Sequence, residues 1–293
     1  MFSKHIRDVN LRCVNWYFQK TKLGEFVRVG CGRCILCLKR RASEWSMRMK
    51  HELSTSGKGL FVTLTYNDIC APYKLANDID EIILPKVINS FGEEVINVLV
   101  KKDIQLFNKR LRRRGYKYKY YITGEYGSKT KRPHYHAILF GLGVDKNVIK
   151  DIREIWNKGM VHIGGVETKS IEYVAKYLVS SDRRDKYPKG HEPFSLMSKG
   201  IGLEFAEKNR DVMSSGKMIV KGKRVSIPRY YTKKGIVSGE VINSINKEKR
   251  EEYKKKFEKS GMSFDEFIKA ERENYKVSEI DKKKRKEAYG GKL

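Results

Sequence analysis

The chain has 293 residues, with 63 lysines and arginines against 35 aspartates and glutamates, a formal charge of +28. Such an excess concentrates polyanions and makes nucleic acid the leading partner, while an aromatic share of 11% separates the chain from a disordered basic tail. No apolar run approaches the ~20 residues of a membrane-spanning helix, and Met1-Phe2-Ser3-Lys4-His5-Ile6-Arg7-Asp8 lacks the apolar centre of a signal peptide; the expectation is a soluble, intracellular protein with no membrane partner.

The first thirty residues carry weak signals. The five cysteines do not suggest a secreted disulfide framework, because the number is odd and three are bunched in Cys31-Gly32-Arg33-Cys34-Ile35-Leu36-Cys37. That spacing suits a structural metal, Zn2+ or an iron–sulfur cluster, held by Cys31, Cys34 and Cys37, with Cys13, His51 and Cys70 open as the fourth ligand. Free thiols at the entrance to a helix are the alternative. From Leu38 the pattern is helical: Leu38, Ala42, Trp45, Met49 and Leu53 form a stripe, and Lys39, Arg40, Arg41, Arg48 and Lys50 fall largely off it, toward solvent or DNA. Gly57 and Gly59 end this helix. Leu60 to Tyr66 reads as a strand closed by the turn pair Asn67-Asp68. Residues 71–92, with Pro72, Pro85 and Gly92, read as an insertion or long loop, and Val95 to Val100 as a short strand.

Asp103 fits the N-cap of a helix carrying Ile104, Phe107 and Leu111. At its end Arg112, Arg113 and Arg114 oppose the negative end of the helix dipole and are candidate DNA contacts. Tyr118 to Tyr126 and His134 to Phe140 read as one hairpin, whose basic turn offers Lys131 and Arg132 as further DNA contacts. Asn147 to Lys158 is an amphipathic helix on Ile149, Ile152 and Trp156 with Gly159 as its stop, Met160 to Ile163 a short strand, and Ser170 to Ser181 a helix. The expected fold is α+β, with a core at residues 58–185 after an N-terminal segment 1–57 that holds the cysteines and the basic helix. A Gly/Pro-punctuated extension, 186–244, follows. Last comes a Lys/Glu-rich helical tail, 245–293, with Tyr253, Phe257, Phe264, Phe267 and Ile268 on a modest apolar face.

The most informative stretch is His134-Tyr135-His136. Strand side chains alternate between faces, so both imidazoles point one way and can chelate a divalent metal. Glu125, near the end of the preceding strand, is brought beside them by the hairpin as a third ligand, leaving positions open for solvent or phosphate. His162, on another short strand, reads as structural. Further on, Tyr173-Val174-Ala175-Lys176-Tyr177 puts two phenols one helical turn apart. Ile171, Val174, Ala175 and Leu178 form the buried stripe of this helix and leave both tyrosines off it. A metal-polarised phosphate, two candidate nucleophiles Tyr173 and Tyr177, and Lys176 to steady a phenolate or hold the phosphate together suit attack on DNA by tyrosine.

In their order along the chain, the strand Phe61-Val62-Thr63-Leu64-Thr65-Tyr66, the His134-Tyr135-His136 triplet and the tyrosine pair around Lys176 resemble the motifs of HUH endonucleases. The wider pattern includes Cys31 to Trp45 and Ile227-Pro228-Arg229-Tyr230-Tyr231 and covers about residues 31–232. It resembles the two-tyrosine replication initiation proteins of gokushoviruses, in the Microviridae. The resemblance implies an antiparallel sheet of about five strands flanked by helices. It also implies Mg2+- or Mn2+-dependent nicking of single-stranded or replicative-form viral DNA at the origin. The tyrosine would become a 5′-phosphotyrosine, and the freed 3′-hydroxyl would prime rolling-circle synthesis by host helicase and polymerase in the bacterial cytoplasm. Two other readings use fewer of these features: a non-catalytic basic nucleic-acid-binding protein with a Cys-rich metal module, and a non-haem iron oxygenase, which leaves the charge and the tyrosine pair unexplained.

Overall fold

A computed structural model describes residues 13, 17–20, 26–76, 84–89, 91–127, 129–180, 187–220, 222–263, 266–267, 269–270 and 273. In chain order the elements begin with strands β1 (Tyr17–Lys20) and β2 (Phe26–Val29), helix α1 (Ile35–Ser56), and strands β3 (Gly59–Thr65), β4 (Tyr73–Leu75), β5 (Val87–Ile88) and β6 (Glu94–Asn97). Next come α2 (Lys101–Arg113), β7 (Lys119–Tyr126), β8 (Pro133–Phe140), α3 (Lys146–Trp156), β9 (Val161–Gly165) and α4 (Thr168–Ser180). The remainder is β10 (Phe194–Met197), α5 (Leu203–Lys208), α6 (Arg210–Ser214), β11 (Lys217–Val220), β12 (Lys223–Ser226), α7 (Arg229–Lys233) and α8 (Gly239–Ser260). Two compact units result: residues 1–38 with 214–216 and 237–293, and residues 39–213 with 217–236.

In the first unit β1 and β2 pair as an antiparallel hairpin, which the weak signals of this stretch did not reveal. Helix α8 starts on Ser238, whose hydroxyl accepts from the Val241 N–H, and stops at Gly261 in the left-handed conformation. Of the aromatic residues expected along the tail, Phe257 and Phe267 pack edge to face at 5.3 Å, whereas Phe264, Ile268 and the Tyr253 side chain lie outside the described residues.

The second unit is built on a five-stranded antiparallel sheet in the order β10-β7-β8-β3-β9, so the expected α+β class and flanking helices are present. Leu60, Val62, Leu64, Ile122, Tyr135, Ala137 and Leu139 pack on one face of the sheet against Ile104, Phe107 and Leu111 of α2 and Val148, Ile152, Ile155 and Trp156 of α3. On the other face Tyr121, Ile138 and Phe140 pack against Ala42 and Met49 of α1 and Ile171, Val174 and Ala175 of α4. Burial on both faces explains why Ala137-Ile138-Leu139-Phe140 is apolar without alternation. Trp156 anchors the first layer, its indole N–H donating to the Thr65 carbonyl at 2.8 Å. Truncating such a residue to alanine costs about 3–5 kcal/mol.

Several expectations are corrected. Residues 71–92 are not simply a loop: β4 and β5 flank β6 in a three-stranded sheet, with 77–83 and 90 outside the described residues. Helix α2 begins two residues before Asp103, after extended Val100, and the Asp103 carboxylate accepts instead from the Tyr66 hydroxyl at 2.6 Å. The Val100 N–H and carbonyl are both satisfied by the Tyr135 hydroxyl, so tertiary phenols fix this helix entry where a side-chain cap was expected. Helix α3 is capped by Asp145 and stopped by left-handed Asn157 rather than by Gly159. A Cβ at Gly159 would strike the Thr65 carbonyl and the Asn67 amide. Arg48 faces neither solvent nor DNA. It is 7% exposed, its guanidinium lies 3.9 Å from the Trp45 ring centre and 3.7 Å from that of Tyr230, and its Nε donates to the Ile201 carbonyl. Flat, weakly hydrated guanidinium tolerates such stacking.

Candidate metal and tyrosine site

Strand register builds the site. Glu125 on β7 faces His134 on β8, and Thr123 and Thr63 flank His136 from either side, so all five side chains share the α1/α4 face of the sheet. Glu125 Oε1 lies 2.8 Å from His134 Nε2 and 3.0 Å from His136 Nε2. The three groups can each offer one ligand atom, all within 4.8 Å of one another, and Glu125 and His136 are buried. The expected ligand trio is therefore brought together.

Hydrogen bonding shows why this cluster fits a cation. His134 Nδ1 lies 3.1 Å from the Arg132 carbonyl while its Nε2 meets the Glu125 carboxylate, and both of those oxygens only accept. A neutral imidazole can donate to one of them, not both, so an extra proton or a metal ion must stand between His134 and Glu125. Burial alone would lower the His134 pKa, but the Glu125 hydrogen bond, the Arg132 carbonyl and the Glu125 charge outweigh it and raise the value. His136 is oriented by Thr63, whose Oγ1 is 3.0 Å from Nδ1, and its buried Nε2 makes no hydrogen bond. That nitrogen sits near the carboxylate in poor hydrogen-bond geometry. An orphaned imidazole nitrogen, a second imidazole and a carboxylate oxygen converging on one point form a donor set suited to a divalent ion with positions left open.

Helix α4 buries Ile171, Val174 and Ala175 and turns both tyrosines onto the site. The Tyr173 ring meets His136 edge-on at 5.2 Å, Tyr177 stacks on His136 at 5.8 Å, and the phenol rings are 5.0 Å apart. Phe61 stacks on His136 at 5.6 Å and completes the aromatic wall. Tyr173 is 45% exposed, but Tyr177 is half-buried, so only the first stands in solvent as its helical phase suggests. Burial, the hydrogen bond with Tyr173 and the Glu125 charge push the Tyr177 pKa upward. Lys176 is exposed on the same helix. The Leu178 side chain and Ser181 lie outside the described residues.

The basic candidates separate. Lys131 and Arg132 lie in the β7–β8 turn at the His134 end of the sheet, although Arg132 is engaged by the Tyr66 carbonyl at 3.1 Å and Asp68 at 2.8 Å. Arg112, Arg113 and Arg114 belong to α2, which covers the opposite face of the sheet from the two histidines. Arg112 lies 5.5 Å from the Tyr118 and Tyr120 ring centres, and Arg114 is tied to Asp151 at 2.7 Å and Glu154 at 3.2 Å. Period and spacing missed two residues. Thr63 is visible only once the β3–β8 register is known, and His162 stands exposed beside it in the same row of the sheet. Of the three open partners for Cys31, Cys34 and Cys37, Cys13 joins them. His51 is instead buried against Tyr231, and Cys70 packs beside the sheet core.

Residues 59–182 match the family model described as replication-associated protein ORF2. The chain is 31% identical over 222 residues to replication-associated protein VP4 of Bdellovibrio phage phiMH2K, covering 69% of this chain and 65% of that protein. It is 30% identical over 229 residues to replication-associated protein ORF2 of Spiroplasma virus 4, covering 70% and 67%, and 24% identical to replication-associated protein ORF4 of Chlamydia phage 1, covering 69% and 52%. The chain thus belongs to the replication-associated protein family of microvirus-type phages, and spans about half to two thirds of the length of these relatives. No solved structure matches it.

Proposed function

We propose that the protein initiates rolling-circle replication of phage DNA as a two-tyrosine HUH endonuclease, with its nuclease core at residues 58–185. The observation that carries this reading is the convergence of a carboxylate, two imidazoles and two phenols around one ring, His136. Glu125, His134 and His136 would hold Mg2+ or Mn2+, which polarises the scissile phosphate and offsets charge developing on its oxygens. One phenol oxygen of the Tyr173/Tyr177 pair attacks phosphorus. The bond to the 3′ oxygen breaks, and that oxygen leaves as a 3′-hydroxyl, taking up the proton the phenol gives up. The product is a 5′-phosphotyrosine. Because a diester is exchanged rather than hydrolysed, a later 3′-hydroxyl can reverse the step and reseal the strand.

An unassisted phenol, with a pKa near ~10, is a weak nucleophile at neutral pH. The Glu125 carboxylate makes this worse for Tyr177 while its charge is unopposed. Neutralising that carboxylate is what readies the phenol, so ligand and nucleophile are coupled through one residue. Lys176 is free to reach an incoming phosphate or to steady a phenolate, and Lys131 and Arg132 approach the strand from the β7–β8 turn. Two phenols one turn apart let one hold a strand while the other attacks. Partners follow from the reading: single-stranded and replicative-form DNA at the origin, then host helicase and polymerase in the bacterial cytoplasm. Among the described residues no helix is long and apolar enough to cross a membrane.

The test incubates labelled single-stranded origin DNA with Mg2+ or Mn2+ and resolves products on a denaturing gel. Wild type should form a metal-dependent covalent adduct that is absent from the Tyr173→Phe/Tyr177→Phe double variant and from His134→Ala. Tight binding with no adduct on any origin fragment would replace this reading with the non-catalytic nucleic-acid-binding one.

A further inference from the structure

We infer that Cys13, Cys31, Cys34 and Cys37 form a closed tetrathiolate Zn2+ site that staples the N-terminal segment to the first turn of α1. All four Sγ atoms lie within 4.8 Å of one another, and Cys13 and Cys34 are 3.7 Å apart. A tetrahedral zinc with Zn–S bonds of about 2.3 Å sets its sulfurs about 3.8 Å from one another, which is the spacing seen here. A disulfide would need about 2.05 Å. An iron–sulfur cluster interposes iron and sulfide between its thiolates and needs a wider cage than one ion does.

Backbone donors supply an independent observation. The Cys31 N–H donates to Cys13 Sγ at 3.2 Å, and the Arg33 and Cys34 N–H groups donate to Cys31 Sγ at 3.4 and 3.2 Å. Three amides aimed at two sulfurs suit thiolates, because a neutral thiol is only a weak acceptor. The turn that aims two of them is made at Gly32, whose φ of 73° lies in the left-handed region. Cys13 and Cys37 are buried, so two of the four sulfurs are shielded from solvent. With four sulfur ligands no coordination position is open, so the site is structural rather than catalytic. The surrounding unit needs it: its described core is small, resting on Leu38, Val237, Ile245 and Phe267 besides the cysteines, and small cores are commonly completed by a metal.

The full-length protein carrying His134→Ala and His136→Ala, which removes the other metal site, is purified and its metal content measured by mass spectrometry. One zinc per chain is expected. Adding Cys13→Ser, Cys31→Ser, Cys34→Ser or Cys37→Ser should each lower it severalfold, and Cys70→Ser should leave it unchanged. Because a serine variant can lose zinc by unfolding, the parent is also reconstituted with Co2+. Intense visible bands of tetrahedral cobalt with sulfur-to-metal charge transfer are expected. Absence of zinc with all five thiols reactive toward a thiol reagent, iron with acid-labile sulfide, or full zinc retention in Cys13→Ser would each overturn the assignment.

Discussion

Acidification should destabilise the second unit through His51. This imidazole is 7% exposed, stacks on Phe205 at 4.2 Å, and meets the Tyr231 hydroxyl at 2.8 Å through Nδ1. Burial lowers its pKa to about 4, against 6.5 for the unperturbed group. The folded state thus prefers the neutral ring, and between those two values the unfolded chain binds more protons. Stability from this group is present above pH 6.5 and is lost as pH falls through about 4. Each unit of difference is about 1.4 kcal/mol, so the loss is roughly 2 kcal/mol between pH 7 and 5 and about 3 kcal/mol by pH 4. Glu44 opposes this trend: burial raises its pKa despite the Arg40, Arg229, Arg48 and Arg41 charges. The informative quantity is therefore the difference between wild type and His51→Gln, whose amide can still bond Tyr231. Urea denaturation of both at pH 7, 6 and 5 should give a wild-type slope steeper by the stated amount. Parallel pH profiles would refute the buried neutral imidazole.

Other consequences follow from single contacts. Thr63→Val removes the hydroxyl that orients His136 while keeping side-chain volume, and should weaken Mn2+ binding about 10–100-fold, read from free Mn2+ by electron paramagnetic resonance; unchanged affinity would sink the role given to Thr63. Arg113→Ala should weaken single-stranded DNA binding and lower its salt slope by about 0.7, whereas Arg114→Ala should leave both nearly unchanged, because Arg114 is already held by Asp151 and Glu154. Equal losses in the two variants would contradict that division. Gly159→Ala should destabilise the fold by about 1–3 kcal/mol in chemical denaturation, since the new methyl meets the Thr65 carbonyl and the Asn67 amide; a stability matching wild type would show that this close approach relaxes freely.

Which features could be read from the sequence follows from how local their causes are. The hairpin that pairs Glu125 with His134 was legible because strand alternation fixes which side chains share a face. The tyrosine helix was legible because its buried stripe repeats at helical spacing. The sheet formed by β4, β5 and β6 was not, since β4 and β5 have three and two residues, all exposed, and show no alternation. Asp103 looks like a helix cap until Tyr66, distant in sequence, claims its carboxylate. Arg48 looks like a surface charge until Tyr230 of α7 folds over it. That contact also gives the Ile227-Pro228-Arg229-Tyr230-Tyr231 motif a structural reason. Spacing along the chain carries none of these tertiary partners, nor the pairing of Cys13 with Cys31, Cys34 and Cys37.

The most direct measurement is peptide mapping of the covalent product by mass spectrometry after nuclease and protease digestion. The expected result is a nucleotide joined through its 5′-phosphate to Tyr173 or Tyr177, with a 3′-hydroxyl on the released strand. Cleavage that leaves a free 5′-phosphate and an unmodified α4 peptide, or a nucleotide attached elsewhere, would contradict attack by this tyrosine pair.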